Sequence, residues 1–261
     1  MRTASTLSAI DYLTSPLLSQ AGFRHAFFTR QGGVSEGAFA TLNFSVTVGD
    51  QAPHVEENLR RAAAALGVAA GRVYFASQVH GCSVEVADGE TEFAEFVRRE
   101  ADVVVARSSE IACGVRSADC VPVLLAERGS GRVAAVHAGW RGVVRGAVKA
   151  GVDALLSEAG QRADIIAAIG PHISLAAFEV SDEVAAELEA ASPNSNVVDR
   201  SRLRPHVDLR SIVRAQLESV GVSRDCIDDV AGCTFLEPRL FFSFRRDGKA
   251  SGRHLSAIVP K

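Results

Sequence analysis

Apolar residues recur along this chain in two rhythms. Between Pro53 and Leu66 they fall at helical spacing, as Val55, Leu59, Ala62, Ala63 and Leu66, with Pro53 suited to a first turn and Gly67 to the position after the last one. A second helical stretch, Val143 to Ala159, puts Val144, Val148, Val152, Leu155 and Leu156 on one face and is expected to stop at Gly160. Asp182 to Ala191 and Asp208 to Val220 predict two more helices. The other rhythm is short and β-branched. Arg72 to Ala76, Ser83 to Ala87, Asp102 to Ala106, Ile111 to Val115, Val121 to Ala126 and Arg132 to His137 read as strands, followed later by Ile165 to Ile169, Leu240 to Phe244 and Leu255 to Val259. Strands and helices do not alternate strictly, so the class is α+β with a mixed sheet. The turn-rich run Ser192-Pro193-Asn194-Ser195-Asn196 is too short for a linker, and no repeat or low-complexity tract is visible, which predicts a single domain over residues 1–261.

Composition narrows the function classes. With 261 residues, 47% of them hydrophobic, the chain is large enough to bury a sizeable core. Its formal charge of −3 gives no electrostatic reason to bind nucleic acid or an anionic membrane, which leaves small-molecule chemistry as the expectation for a monomer or small homo-oligomer. Cys82, Cys113, Cys120, Cys226 and Cys233 form an odd set with no C-x-x-C pair, and a chain of this size needs no disulfide staples, so a reducing, cytoplasmic setting is expected. Ser, Thr and Asp11 interrupt the segment after Arg2 where an export leader would run apolar, and no uncharged stretch reaches membrane-spanning length.

Three short runs carry the candidate chemistry. Gln78-Val79-His80-Gly81, Ser117-Ala118-Asp119-Cys120 and Val136-His137-Ala138-Gly139-Trp140-Arg141-Gly142 offer two imidazoles and a thiolate. Three such ligands suit zinc, with copper as the alternative, and leave a coordination position for water or substrate; their spacing is unlike that of a structural finger. The same Cys120 and His137 also read as a metal-free nucleophile and base. Asp119 is either a group that orients a ligand or a turn residue, and Trp140 either a stacking platform or core. Gly139 to Gly142 joins a strand to a helix, where free N–H groups and Arg141 suit an anion. Arg30 and Asn43, in polar runs near the N-terminus, and Arg246, in Phe242-Ser243-Phe244-Arg245-Arg246-Asp247-Gly248, are further candidates for substrate or phosphate contacts.

Taken together, the runs Q-V-H-G, S-A-D-C-V-P-V-L-L, A-A-V-H-A-G-W-R-G, A-I-G-P-H-I and F-F-S-F-R-R-D-G-K-A-S-G-R resemble the YfiH/YlmD family, also called the polyphenol oxidase or laccase-domain family, from about Phe27 to Arg253. The resemblance implies layered helices around a mixed β sandwich (α-β-β-α), similar to the cytotoxic-necrotizing-factor catalytic fold. It places the family's metal-binding and catalytic set on His80, Cys120 and His137. It also implies phosphorolysis of adenosine, inosine and methylthioadenosine to free base and pentose 1-phosphate, with adenosine deamination at the same site. The chain departs from the commoner pattern at His172, where cysteine is frequent, at Phe178, where tyrosine is frequent, and at Leu59, where arginine often follows the asparagine; Arg60 stands one position on.

Two other activities compete with this expectation. A copper-dependent polyphenol oxidase fits a His₂Cys set, but Met1 is the only methionine and no H-x-H pair is present. A Cys120–His137 hydrolase or deamidase needs no metal at all.

Overall fold

The structure, a computed structural model, describes residues 10–159, 164–194 and 196–261. Gly160, Ser195 and the segment before residue 10 lie outside them, and with these the expected helix stop, one residue of the turn-rich break and the start of the leader argument.

Thirteen strands and eight α-helices are described. In chain order they are β1 (Tyr12–Leu13), α1 (Pro16–Gln20), β2 (His25–Phe28), α2 (Ala52–Leu66), β3 (Val73–Tyr74), β4 (Val84–Ala87), α3 (Phe93–Phe96), β5 (Val103–Ala106), β6 (Ala112–Ser117), β7 (Val121–Glu127), β8 (Val133–Ala138), α4 (Trp140–Arg145), α5 (Ala147–Ala159), β9 (Ile165–Ile169), α6 (Asp182–Ala190), β10 (Val198–Asp199), β11 (His206–Val207), α7 (Leu209–Ser219), β12 (Ile227–Asp229), α8 (Phe244–Asp247) and β13 (His254–Ile258). One sheet runs β1-β2-β13-β6-β3 and another β12-β9-β7-β8-β5-β4, with β10 and β11 forming a separate pair. Both large sheets are mixed: β3 is parallel to β6, and β4 to β5 and β9 to β12 are parallel within otherwise antiparallel ladders. This is the mixed α+β class expected from the sequence.

The central strands read as continuous apolar runs because both of their faces are covered. On β7, Val121, Val123 and Leu125 enter a cluster with Val148, Val152 and Leu155 of α5 and Ile212 and Val213 of α7. The alternate residues Leu124 and Ala126 face a second cluster containing Cys113 and Val115 of β6 and Ile258 of β13. On the first sheet Ala112, Leu255 and Ala257 point the other way, against Ala62, Ala63 and Leu66 of α2. No helix among the described residues is long and apolar enough to cross a membrane.

Two expectations need correction. Residues 240–244 form no strand: the Phe241 carbonyl accepts from Arg246 Nη2 at 2.9 Å, and the Phe242 amide donates to His254 Nε2 at 2.9 Å, so the groups a ladder would use are taken by side chains. The Ser243 hydroxyl then caps α8 by accepting from the Arg246 amide. The helix expected from Val143 to Ala159 starts earlier, at Trp140, and breaks at Gly146, whose φ of +83° is left-handed, so α4 and α5 are separate.

Candidate metal and anion site

The antiparallel pairing of β7 with β8 builds the first part of the site. Val121 lies opposite Ala138 and Pro122 opposite His137, so Cys120, just before β7, reaches the strand end that carries His137 and Gly139. His80 arrives from a third direction, in the loop between β3 and β4, with a left-handed φ of +58°. Its shape is imposed by one carboxylate. Asp102, completely buried, accepts from the backbone amides of Val79 at 3.1 Å, His80 at 3.0 Å and Gly81 at 2.6 Å. The same carboxylate lies 2.7 Å from His137 Nδ1, which fixes the ring and leaves Nε2 as the nitrogen available to a cation. Asp102 thus sets both imidazoles at once.

The ligand atoms of His80, Cys120 and His137 all lie within 4.8 Å of one another, with Cys120 Sγ 3.9 Å from His80 Nε2 and the two imidazole rings 5.0 Å apart. Gly139 completes the cradle: a Cβ there would stand 2.8 Å from His80 Cδ2 and 2.9 Å from Cys120 Sγ. Burial pushes the Cys120 thiol up, but charge from His137 and hydrogen bonds from both histidines outweigh it and hold the thiol below its ordinary value. At His137, burial acts downward and the Cys120 thiolate and Asp102 raise the imidazole instead. Thiolate plus two imidazoles, closely spaced and with a carboxylate behind one ring, is a donor set that fits zinc or copper. Among the described residues it is the group of His, Cys, Asp and Glu side chains able to hold a metal ion.

These ligands sit in a cavity of about 580 Å³. Its walls carry the aromatic rings of Trp140, Phe178 and Phe244, the hydroxyls of Ser45, Thr47, Ser77 and Ser117, and four arginines, Arg116, Arg141, Arg245 and Arg253. A volume of this size, part apolar and part polar, suits a drug-sized polar ligand.

Residues 24–261 match the family described as multi-copper polyphenol oxidoreductase laccase. The chain belongs to this YfiH/YlmD laccase-domain family. It is 40% identical over 235 residues to a purine nucleoside phosphorylase of Mycobacterium tuberculosis, covering 90% of this chain and 91% of that protein. It is 36% identical over 245 residues to an adenosine deaminase from an unknown prokaryotic organism, covering 90% and 94% of the two chains. Among solved structures, YlmD from Geobacillus stearothermophilus superposes with a TM-score of 0.87 at 28% identity, covering 100% of this chain and 98% of that one.

Within this family member the residues singled out from sequence part company. His80, Cys120 and His137 converge, and Arg141 lines the cavity with its guanidinium 4.4 Å from the Trp140 ring centre. Three others lie outside the cavity lining. Arg30 donates to the carbonyls of Ala40 and Pro238 and stacks on Phe242. Arg246 holds the carbonyls of Thr234, Phe235 and Phe241. Asn43 is fully buried and acts indirectly, its Oδ1 accepting from the Arg253 amide at 2.8 Å. Arg60 pairs with Glu57 beside Leu59 in another groove, so it brings no cation to this site. Asp119 is buried rather than a solvated turn residue and lines the cavity, its carboxylate accepting from Thr234 Oγ1 and the Arg245 amide, both at 2.6 Å. His172 is buried against the Gly170 carbonyl away from the cavity, whereas Phe178 lines it.

Sequence reasoning missed Asp102, Arg116 and Arg253. A lone acid opening the apolar run Asp102-Val103-Val104-Val105 was the available signal for the first, since an unpartnered charge does not belong at the head of a buried strand.

Proposed function

We propose that the protein is a zinc-dependent purine nucleoside phosphorylase that converts adenosine, inosine or methylthioadenosine and phosphate to free base and pentose 1-phosphate, and that it also deaminates adenosine at the same site. The observation that carries this reading is the His80–Cys120–His137 cluster opening into a cavity walled by both aromatic rings and arginine guanidinium groups. Relatives bearing the names purine nucleoside phosphorylase and adenosine deaminase support it.

His80, Cys120 and His137 would hold the zinc, which supplies Lewis-acid polarisation when bound. Asp102 keeps His137 in the tautomer that presents Nε2. Trp140, Phe178 and Phe244 offer faces to a planar base, and Arg141 adds positive charge beside Trp140. In phosphorolysis a phosphate oxygen bonds to the anomeric carbon as the glycosidic C–N bond breaks. Its electron pair leaves with the purine, which takes up a proton, and positioning the two reactants in one cavity is the main contribution of the walls. In deamination water replaces the amino group, and ammonia leaves.

A copper polyphenol oxidase is the second reading, favoured by the family description. The donor atoms argue against it: among the described residues one three-ligand group is found, whereas multicopper oxidation needs several copper sites. A metal-free Cys120–His137 hydrolase draws on the same thiolate, and activity that survives complete chelation would favour it. The layering follows from the same reading: three apolar clusters on successive sheet faces support an α-β-β-α sandwich similar to the cytotoxic-necrotizing-factor catalytic fold. All five cysteines are free, which supports a cytoplasmic setting.

The test is incubation of zinc-loaded protein with adenosine, inosine and methylthioadenosine, with and without phosphate, while following base, sugar phosphate and ammonia. Phosphate-dependent release of base is expected. No product from any nucleoside would refute the reading.

A further inference from the structure

Arg116 and Arg253 are brought together by the register of the first sheet. Leu255 of β13 lies opposite Arg116 of β6, so Arg253, two positions back along the chain, stands diagonally across from Arg116 on the same face. Both also bond to the backbone of one residue: Arg116 Nη1 donates to the Phe44 carbonyl at 3.5 Å, and the Phe44 amide donates to the Arg253 carbonyl at 3.0 Å. Asn43 fixes the Arg253 amide from below. The two guanidiniums therefore line the same cavity as the His–Cys–His cluster, on a wall that also carries Ser45, Thr47 and Ser117.

Their donors are only partly used. Arg253 Nη1 reaches the carbonyls of Ser251 and Gly252, and Arg116 has the single long bond to Phe44 while its cation lies 4.4 Å from the Phe75 ring centre. Among the described residues neither is ion-paired with a carboxylate. Arg253 feels Asp119 and Cys120, but the Asp119 oxygens are engaged by Thr234 and the Arg245 amide. Burial, then repulsion from Arg253, pulls Arg116 down to about 10, which leaves it charged at neutral pH. Two like charges held together in a half-buried wall, only Arg253 being eased by the Cys120 and Asp119 charges, are costly unless an anion joins them. Arg30 and Arg246 show the contrast, since neither lines the cavity and Arg246 is ion-paired with Asp247.

We infer that Arg116 and Arg253 form the tetrahedral oxyanion site of this cavity, gripping a phosphate group between their two guanidinium forks with the hydroxyls of the same wall as further donors. The inference rests on the phosphorylase reading for its choice of free phosphate; the same chemistry would take the phosphate ester of a nucleotide.

The experiment is equilibrium titration of the zinc-loaded full chain with inorganic phosphate and, separately, adenosine 5′-monophosphate, for the native protein and for Arg116→Gln, Arg253→Gln and Arg60→Gln. Inorganic phosphate is expected to bind the native protein and Arg60→Gln alike, and each of the other two variants at least about tenfold more weakly. Where a glutamine variant does not fold, Arg116→Lys and Arg253→Lys, which keep the charge and lose the fork, are expected to weaken binding roughly three- to tenfold. Adenosine 5′-monophosphate binding that depends on both arginines, with no competition from inorganic phosphate, would keep the site and assign it to a nucleotide. Native-like phosphate affinity in both variants overturns the inference. Arginine-dependent phosphate binding without phosphorolysis removes the phosphorylase reading and leaves the site; phosphorolysis with an unchanged KM for phosphate in both variants does the opposite.

Discussion

His137 and His254 are almost equally secluded, 3% and 4% exposed, yet their imidazoles are driven in opposite directions. Burial pushes each of them down. At His137 the Cys120 thiolate and the Asp102 carboxylate more than reverse it, raising the ring to about 9. At His254 the Ser117 carbonyl offsets burial only in part, Arg30, Arg253 and Arg246 add to it, and the ring falls to about 3. The two histidines report a polarised region: Cys120 and Asp102 hold anionic charge close around His137, and Arg30, Arg253 and Arg246 hold cationic charge around His254, with Arg253 of these lining the cavity beside Arg116. A cation belongs at the first end and an anion at the second. The two ends are not insulated, since Cys120 and Asp119 both favour the Arg253 cation, but among the described residues neither Arg116 nor Arg253 has a carboxylate as an ion-pair partner.

The comparison is broken most severely by removing the thiolate. Cys120→Ala is expected to leave two imidazoles and no anionic ligand, so zinc content after dialysis falls to background and turnover drops by roughly 10³-fold or more. A full zinc complement in this variant, measured by elemental analysis, would move the metal elsewhere. Asp102→Asn is a milder test of the same end. The carboxylate accepts four N–H groups, three from the loop and one from His137, and an amide must turn an N–H toward one of them. Zinc affinity by competition with a chelator is expected to weaken about 10- to 100-fold, with about 1–3 kcal/mol lost from stability. Unchanged zinc affinity together with lost stability would confine Asp102 to shaping the loop.

The two ends were unequally legible in the sequence. His80, Cys120 and His137 each stand in a compact run beside glycine or aspartate, and strand pairing brings Cys120 and His137 together within one hairpin, so local pattern and three-dimensional position agree. Most strands were legible because burial of both faces of the second sheet writes itself as unbroken apolar runs, and the helix from Ala52 to Leu66 because its one buried face recurs at helical spacing. The cationic end had no such signature. Arg116 and Arg253 lie 137 positions apart and meet only through the antiparallel register of β6 and β13. Arginines that looked better placed, Arg30 and Arg246, have side chains that serve main-chain carbonyls, and nothing in the order of residues distinguishes a guanidinium that caps a loop from one that faces a cavity. The supposed strand at 240–244 failed on the same ground, because its run of apolar residues is real but the Phe241 carbonyl and the Phe242 amide are taken by Arg246 and His254.

The smallest expected effect sharpens the cationic end. His254 Nε2 accepts from the Phe242 amide at 2.9 Å, so the fold requires that nitrogen to be unprotonated. Because the folded value, about 3, lies below the ordinary 6.5, the unfolded chain takes up a proton over a range where the folded protein does not. The stabilisation is therefore complete above about pH 6.5 and is lost progressively as the pH falls from there toward 3. His172, lowered to about 4 by burial, contributes with the same sign down to its own lower limit. His254→Gln retains an acceptor for the Phe242 amide and cannot charge. Its Tm at neutral pH is expected to drop slightly, by the equivalent of about 1 kcal/mol, while the decline of Tm between pH 6.5 and 4 becomes shallower than in the native protein. An identical acid slope in the two proteins would mean that burial and the neighbouring arginines Arg30, Arg253 and Arg246 do not hold His254 neutral.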